Sequence, residues 1–461
     1  MLEPVGAGPS PTEAPLVTNH RHILTSAAML GSATILVKLA AFAKEWLIAR
    51  RFGVSDELDA FLVAFLIPSF AVAVAAGSFA SAFMPTYIRV LDQQGPAAAR
   101  KLAGSVLVCG LIVLTAITLI LAVTAHTLLP WVSMGFDESK LALTESLFHV
   151  VLGILLVSGL SAVFSAVLNA HGHFAITAAA PMTIPVATVI VFWFFQERYG
   201  IYALAAGTML GFLLESCVLA AGMRFHGLLP RPGWSGSHAN LSHVGTQYLH
   251  VTIGSLLMSS SIVVDQSMAA SLGSGNVSIL SYSNKIVNLV LSMVAVSLST
   301  VLFPQFSRMI TAGQWVELKR TVRAYTKIIL LASIPGVALL ALLSEPLVHL
   351  LFERGAFTPA TTRAVSHVQI YYTLQIPFYV LSMLGARLLS ALDGNAIVLR
   401  IGALNLALNI AGNYVFMHWF GVAGIAISTS VMYLVACVVM SQAIRMKMSE
   451  VAAMQPASGS A

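Results

Sequence analysis

Three ionisable side chains interrupt the first long apolar run of the sequence, ATILVKLAAFAKEWLIA at residues 33–49: Lys38, Lys44 and Glu45. A charge at the centre of a bilayer costs about 2.5–3.5 kcal/mol even on the translocon scale, so such residues usually face water or a charged partner. Lys38 and Glu45 are seven residues apart, which places them on one face of a helix. The pattern predicts a helix that lines a wet, charged cleft.

A simpler interpretation stays open for Lys44 and Glu45. They lie near the end of the run, where long side chains can extend to the membrane surface. Lys38 is well inside the run, and its ammonium group reaches either surface less easily. We therefore expect Lys38 to face a cavity, and we leave Lys44 between a cavity and the interface.

Two more charged residues suit the same cleft. Lys285, in SYSNKIVNLV, is the sole basic residue of its apolar run, and we expect it to line the cavity. Asp59 begins the second apolar run. It could pair with Lys44 across the short connection between the first two runs, or it could cap its own helix. The sequence does not separate these two roles.

A second polar group lies in the last third of the chain. Asp265 occurs in SIVVDQS, Asn405 and Asn409 share one helical face, and Thr429 is in the next apolar run. Carboxylate, amide and hydroxyl oxygens suit a hard monovalent cation such as Na⁺, or a proton relay. Ordinary hydrogen bonds between membrane helices are the alternative, which we weigh slightly higher.

The composition defines the class of protein. Of 461 residues, 58% are hydrophobic and 9% are charged, whereas soluble domains carry about 25% charged residues. Twelve apolar segments each approach the length of about 20 residues that a bilayer requires. They cover residues 23–49, 59–85, 102–125, 146–170, 176–196, 201–222, 247–270, 277–303, 324–344, 365–392, 396–418 and 420–444. We therefore expect an all-α polytopic membrane protein.

The distribution of basic residues predicts the orientation. With the N-terminus inside, fourteen lysines and arginines fall in inside segments, and only six fall outside. The six are Arg50, Arg51, Lys140, Arg198, Arg354 and Arg363. Positive charge favours cytoplasmic segments, so both termini are predicted to be cytoplasmic.

The two halves of the sequence resemble each other. FMPTYIR and LFPQFSR align Pro85 with Pro304, and LPWVSMGF and HLLFERGAF align Gly135 with Gly355, at offsets of 219 and 220 residues. SAVFSAVLNAHG and YGIYALAAGT have counterparts at similar offsets. Six predicted spans separate the copies, so the repeats are parallel. We expect two six-helix lobes around a central cavity, at residues 21–235 and 236–446, with disordered tails at 1–20 and 447–461.

Several of these stretches also resemble a known family. FAKEWLIARRFGVSDELDAFLVAFLIP, VDQSMAASLGSGNVSILSYSNKIV, LFERGAFT and NLALN followed by FGVAGIAIST are similar to the lipid II flippase (MurJ/MviN) family. That family belongs to the multidrug/oligosaccharidyl-lipid/polysaccharide exporter superfamily. The resemblance extends from about Ala28 to Arg445.

The resemblance implies a flippase that moves an undecaprenyl-diphosphate-linked saccharide from the inner to the outer leaflet of the bacterial inner membrane by alternating access. It places Lys38, Lys44 and Lys285 where the family usually has arginines that hold the diphosphate, and Asp59 at its acidic position. It places Asp265, Asn405, Asn409 and Thr429 at a cation site found in some members. We expect a monomer whose partners are the lipid-linked saccharide and membrane lipids, with no nucleic acid and with Na⁺ as a candidate coupling ion.

The sequence departs from the family pattern in two respects. Val72 stands where the family has arginines after the second-span proline, and twelve spans are predicted where members typically have fourteen. A flippase for a lipid-linked exopolysaccharide or O-antigen unit is therefore an alternative, and a drug/cation antiporter is a second. No nucleophile–base group and no phosphate-binding glycine loop is found, so we do not expect an enzyme.

Overall fold

The computed structural model describes residues 19–230 and 238–454, and within them the chain is almost entirely helical, with no β-strand. Fifteen α-helices follow one another, with a short 3-10 helix, Ala180–Met182, between α5 and α6. The first eight are α1 (Asn19–Phe52), α2 (Asp56–Val132), α3 (Glu138–Leu152), α4 (Ile154–Ala170), α5 (Phe174–Ala179), α6 (Thr183–Tyr199), α7 (Ile201–Phe225) and α8 (His238–Ala270). The others are α9 (Asn276–Thr311), α10 (Trp315–Leu342), α11 (Ser344–Phe352), α12 (Pro359–Thr373), α13 (Gln375–Ala391), α14 (Asn395–Phe420) and α15 (Val422–Met454).

The predicted spans coincide with helices. Each lies largely within one helix or within helices that follow each other directly, such as α5, the 3-10 helix and α6 for the span 176–196. Helix α2 contains two spans, because Gly95 has φ +82° and divides it there. By length and composition, ten helical segments of the described chain could cross a membrane; α1 and α8, which contain the first and seventh predicted spans, are not among these ten.

The helix boundaries repeat through the chain. The break between α3 and α4 is at Gly153, and the break between α12 and α13 is at Leu374, 221 residues later. The turns at Gly200 and Gly421, before α7 and α15, have the same offset. The two halves of the chain therefore have the same helical design, as parallel repeats require.

The predicted domain boundary, between residues 235 and 236, lies outside the described residues, so it stays a prediction. One tail assignment is wrong in part. Helix α15 continues to Met454, so residues 447–454 are helical and do not belong to a disordered tail. The first helix begins at Asn19, close to the predicted boundary at residue 20.

One end of the bundle is defined by four short connections that lie together. We call this end the outer end, after the predicted orientation, and its connections are residues 53–55, 133–137, 271–275 and 353–358. A buried apolar cluster here joins the two halves, since Phe52 and Phe148 of the first half pack with Tyr282, Phe352 and Phe357 of the second. The opposite end is the inner end.

Candidate functional site

A charged cluster connects the two lobes. The Lys44 Nζ lies 3.1 Å from Glu45 Oε1 on α1, and the other carboxylate oxygen of Glu45 accepts a hydrogen bond from Lys285 Nζ on α9. Lys285 Nζ also lies 4.3 Å from the centre of the Tyr282 ring. The side chains of all three charged residues are between 22% and 27% exposed, so they remain accessible. One carboxylate thus holds two ammonium groups, and the cluster carries one net positive charge.

Lys38 occupies a different position on α1. It is six residues before Lys44, or about 9 Å along the helix. Its side chain is exposed and forms no ion pair with another residue in the described part of the chain. A role for Lys38 in holding substrate stays a prediction.

The structure gives Asp59 a different partner from those expected. Its buried carboxylate accepts hydrogen bonds from the N–H groups of Gly275 and Ser278, at 2.7 and 2.8 Å, and from the Ser278 hydroxyl at 2.6 Å. Asp59 therefore caps α9 of the other lobe. The predicted pairing with Lys44 is wrong, and so is the cap of its own helix, because Ser55 accepts from Leu58 N–H there.

Lys140 completes this buried network. Its Nζ lies 3.0 Å from Asp59 Oδ2 and 2.5 Å from Asp56 Oδ1, and it lies 4.0 Å from the centre of the Phe136 ring. A buried carboxylate without a counter-ion is very unfavourable, so Lys140 stabilises the charge that caps α9.

Two glycine turns bring the lobes together beside Asp59. Gly355, with φ +58°, approaches the backbone of Arg50, and Ala356 N–H donates to Arg50 O at 2.9 Å. Gly135, with φ +91°, approaches Ser271 in the same way. Side chains at these glycines would be strained and would meet backbone atoms. The sequence repeat aligns Gly135 with Gly355. Equivalent turns in the two halves therefore each contact the other lobe at the outer end.

The lobes also touch toward the inner end. The hydroxyl groups of Ser78 and Ser255 are 3.1 Å apart, and the rings of Phe79 and Tyr248 are 6.5 Å apart. These contacts join α2 to α8. The charged cluster of Lys44, Glu45 and Lys285 lies on other helices, about 10 Å along α9 from Ser278.

The second polar group comes together only in part. Asp265 Oδ1 accepts hydrogen bonds from Asn409 at 3.0 Å and from Asn413 at 2.7 Å. The side-chain oxygens of Asn405, Asn409 and Asn413 are buried and have no hydrogen-bond partner among the residues that the structure describes. Unpartnered amide oxygens beside a carboxylate fit a hard cation. The Thr429 hydroxyl instead donates to Ile425 O in its own helix, at 3.0 Å.

Two residues of these groups, Asn413 and Lys140, were missed by sequence reasoning, and the role of Glu45 was not predicted. Asn413 continues the spacing of Asn405 and Asn409, so the pattern i, i+4, i+8 could have revealed it. Glu45 was noted as a charge but not as the bridge between lobes. Lys140 lies outside the apolar runs, in a connection that reads as an ordinary polar loop.

Two six-helix halves of one design, joined at their ends and by a partly exposed charged cluster between them, define a two-lobed polytopic membrane transporter. A family model described as "Lipid II flippase MurJ" matches residues 48–458. This chain belongs to that family.

Individual relatives agree with this assignment. A probable lipid II flippase MurJ of Rhizobium meliloti (strain 1021) is 28% identical over 370 residues, which cover 77% of this chain and 68% of the relative. Among solved structures, a lipid II flippase MurJ in an inward closed conformation superimposes with a TM-score of 0.80 at 21% identity, covering 92% of this chain and 90% of the other. An inward-facing MATE multidrug transporter also gives 0.80, at 16% identity and with 92% and 96% coverage. The fold is thus common to both classes.

Proposed function

We propose that this protein flips lipid II, or a close undecaprenyl-diphosphate-linked relative, from the inner to the outer leaflet of the bacterial inner membrane. The observation that carries the proposal is the cluster of Lys44, Glu45 and Lys285 between the lobes. Two ammonium groups that share one carboxylate match two negative groups of a diphosphate. Family membership supports a flippase over the drug transporters that have the same fold.

In this mechanism the diphosphate takes the place of the Glu45 carboxylate. Its oxygens accept charge-assisted hydrogen bonds from Lys44 and Lys285, which are the strong kind in a partly dehydrated site. Glu45 keeps the two cations together when no substrate is present. Lys38, closer to the inner end, makes the first contact with substrate that arrives from the inner leaflet.

Alternating access requires the outer end to open. The contacts that must break are those of Asp59 with α9 and those of the two glycine turns. These polar contacts are local and can form again after release, and the apolar cluster of Phe52, Phe148, Tyr282, Phe352 and Phe357 must also separate there. An inside-negative potential favours outward movement of net negative charge, by about 2.3 kcal/mol per charge per 100 mV.

The Asp265 group supplies a candidate coupling site. Asp265, Asn405, Asn409 and Asn413 would hold a monovalent cation, which would link α8 to α14 within one lobe. A bound cation would change how these two helices pack, and α8 contacts α2 of the other lobe. Both termini are cytoplasmic in this proposal, and the protein acts as a monomer.

Genetic complementation tests the choice of cargo. The gene is expressed in a strain depleted of its own lipid II flippase, beside a variant with Lys44→Ala and Lys285→Ala. Restored growth by the wild-type protein alone supports lipid II as cargo. If the wild-type protein is present in the membrane and growth fails, the cargo is a different lipid-linked saccharide, such as an exopolysaccharide unit.

A further inference from the structure

Helix α10 lies on the periphery of the second half and is largely uncovered. Of its 28 residues, only Leu318 and Ile329 are buried. The first turns are at the inner end, and the remainder is apolar enough to span a membrane. Most of its surface therefore faces away from the rest of the protein.

Four cations occupy the inner end of this helix: Lys319, Arg320, Arg323 and Lys327. All four are exposed, and none forms an ion pair or a hydrogen bond with another residue that the structure describes. Lys319, Arg323 and Lys327 follow each other at intervals of four residues, so they share one face. The one acidic residue among them in the sequence is Glu317, in the first turn.

A shallow groove of about 480 Å³ continues from these cations along α10. Arg323, Thr326 and Lys327 lie at its inner end, and Leu330, Leu331, Ile334 and Pro335 line the rest. Arg323 and Ile334 are eleven residues apart, or about 16 Å along the axis. The groove therefore follows the axis of α10, with Arg323 and Lys327 at one end and an apolar track along the rest.

We propose that this groove binds an anionic diacyl phospholipid of the inner leaflet. The phosphate lies between Arg323 and Lys327, the Thr326 hydroxyl donates to one of its oxygens, and an acyl chain follows Leu330, Leu331 and Ile334. Unpaired cations beside apolar surface on the cytoplasmic side are the arrangement that recognises anionic lipid head groups. The groove is separate from the transport cluster, since its lining residues all belong to α10.

The position of the groove favours a phospholipid over the transported substrate, and its apolar track favours a phospholipid over a soluble phosphate compound. All lining residues face outward from the second half, whereas Lys44 and Lys285 lie between the lobes. A soluble phosphate compound would leave the apolar track uncovered. The cations and the apolar track together predict that the head group and the acyl chains of the lipid both contribute to binding.

Native mass spectrometry of the full-length protein in detergent tests this site. Dioleoylphosphatidylglycerol and dioleoylphosphatidylcholine are titrated separately, and lipid retained per protein is measured. We expect phosphatidylglycerol to half-saturate the protein at a concentration at least fivefold lower. The variant with Arg323→Gln and Lys327→Gln should lose that preference, whereas Arg400→Gln with Arg445→Gln, two exposed inner-end arginines elsewhere, should keep it. The single variants Arg323→Gln and Lys327→Gln repeat the test if the double variant does not fold.

Four results would overturn the proposal. Equal binding of the two lipids would mean that the protein does not select an anionic head group. Equal loss in the test and control pairs would mean that charge near the inner end acts without a defined site. Retention of full preference by the Arg323 and Lys327 variants would exclude these residues. Displacement of the bound phosphatidylglycerol by undecaprenyl phosphate, but not by glycerol phosphate, would assign the groove to the substrate pathway.

Discussion

Asp59 Oδ1 accepts two hydrogen bonds from Ser278, one from its N–H at 2.8 Å and one from its hydroxyl at 2.6 Å. These residues belong to different lobes, and the carboxylate stands at the N-terminus of α9, where the helix dipole is positive. A single carboxylate therefore holds the two lobes together at the outer end, through its hydrogen bonds and through its charge. Lys285, which we expect to contact substrate, lies two turns further along the same helix.

Replacement of Asp59 by Asn should loosen the outer end. The Asn side chain is neutral and has one weaker acceptor oxygen for the N–H and O–H groups of α9. Hydrogen bonds to charged groups contribute about 1.5–3 kcal/mol each. We expect a shift of about 2 kcal/mol, or roughly 30-fold, toward states with a separated outer end. Spin labels at Ser139 and Ser271 should show a longer distance population by pulsed electron paramagnetic resonance. Glu57→Gln, at an exposed position two residues earlier, is the control and should leave the distances unchanged.

Removal of the Lys140 ammonium should destabilise the closed protein. In Lys140→Met, the buried Asp59 carboxylate loses its counter-ion, and breaking a buried pair in this way costs about 3–5 kcal/mol. The melting temperature in detergent should fall by several degrees, and Lys140→Arg should recover part of the loss. Lys101→Met, at an exposed inner-end position, provides the comparison; an equal fall in both methionine variants would exclude a special role for Lys140.

Replacement of Glu45 by Gln should strengthen diphosphate binding and slow transport. Without the carboxylate, Lys44 and Lys285 lose their internal competitor, and affinity for undecaprenyl diphosphate should rise about tenfold, equivalent to about 1.4 kcal/mol. Release at the outer side should become slower for the same reason. Microscale thermophoresis gives the affinity, and weaker binding by the Gln variant would show that Glu45 itself recognises the substrate.

Sodium should stabilise the protein through Asp265. A ligand at a hundred times its dissociation constant adds about 2.7 kcal/mol of stability, so the melting temperature should be higher in NaCl than in choline chloride at equal ionic strength. Asp265→Asn and Asn413→Leu should remove the difference between the salts. Glu215→Gln, which changes another acid within a span, should keep it. A salt difference that survives Asp265→Asn would place the ion elsewhere.

The sequence predicts the fold well because helical membrane spans are encoded locally. Run length is a property of contiguous segments and predicted the helices, and the similarity of the two halves of the sequence predicted the two-lobed design. The repeat pair Gly135 and Gly355 even marks the turns that join the lobes, although their contacts could not be read from the sequence.

The site was predicted less completely, because its contacts connect residues far apart in the chain. Lys44 and Lys285 were selected by their charge in an apolar context, but their bridge through Glu45 depends on how the lobes meet. Asp59 and Lys140 are 81 residues apart, and no local pattern relates them. Thr429 has the right residue type, yet its hydroxyl is satisfied by its own helix, which residue type alone does not indicate.

Transport in proteoliposomes tests most directly whether Lys44 and Lys285 hold the diphosphate. Fluorescent lipid II is placed in the liposomes, and its appearance in the opposite leaflet is measured by a membrane-impermeant reducing agent. The variant with Lys44→Ala and Lys285→Ala should transport at least about 100-fold more slowly, since two charge-assisted hydrogen bonds of about 1.5–3 kcal/mol are lost. The pair Arg400→Gln and Arg445→Gln should transport as the wild type does. Undiminished transport by the double lysine variant, at equal reconstitution, would contradict the assignment of this cluster as the substrate site.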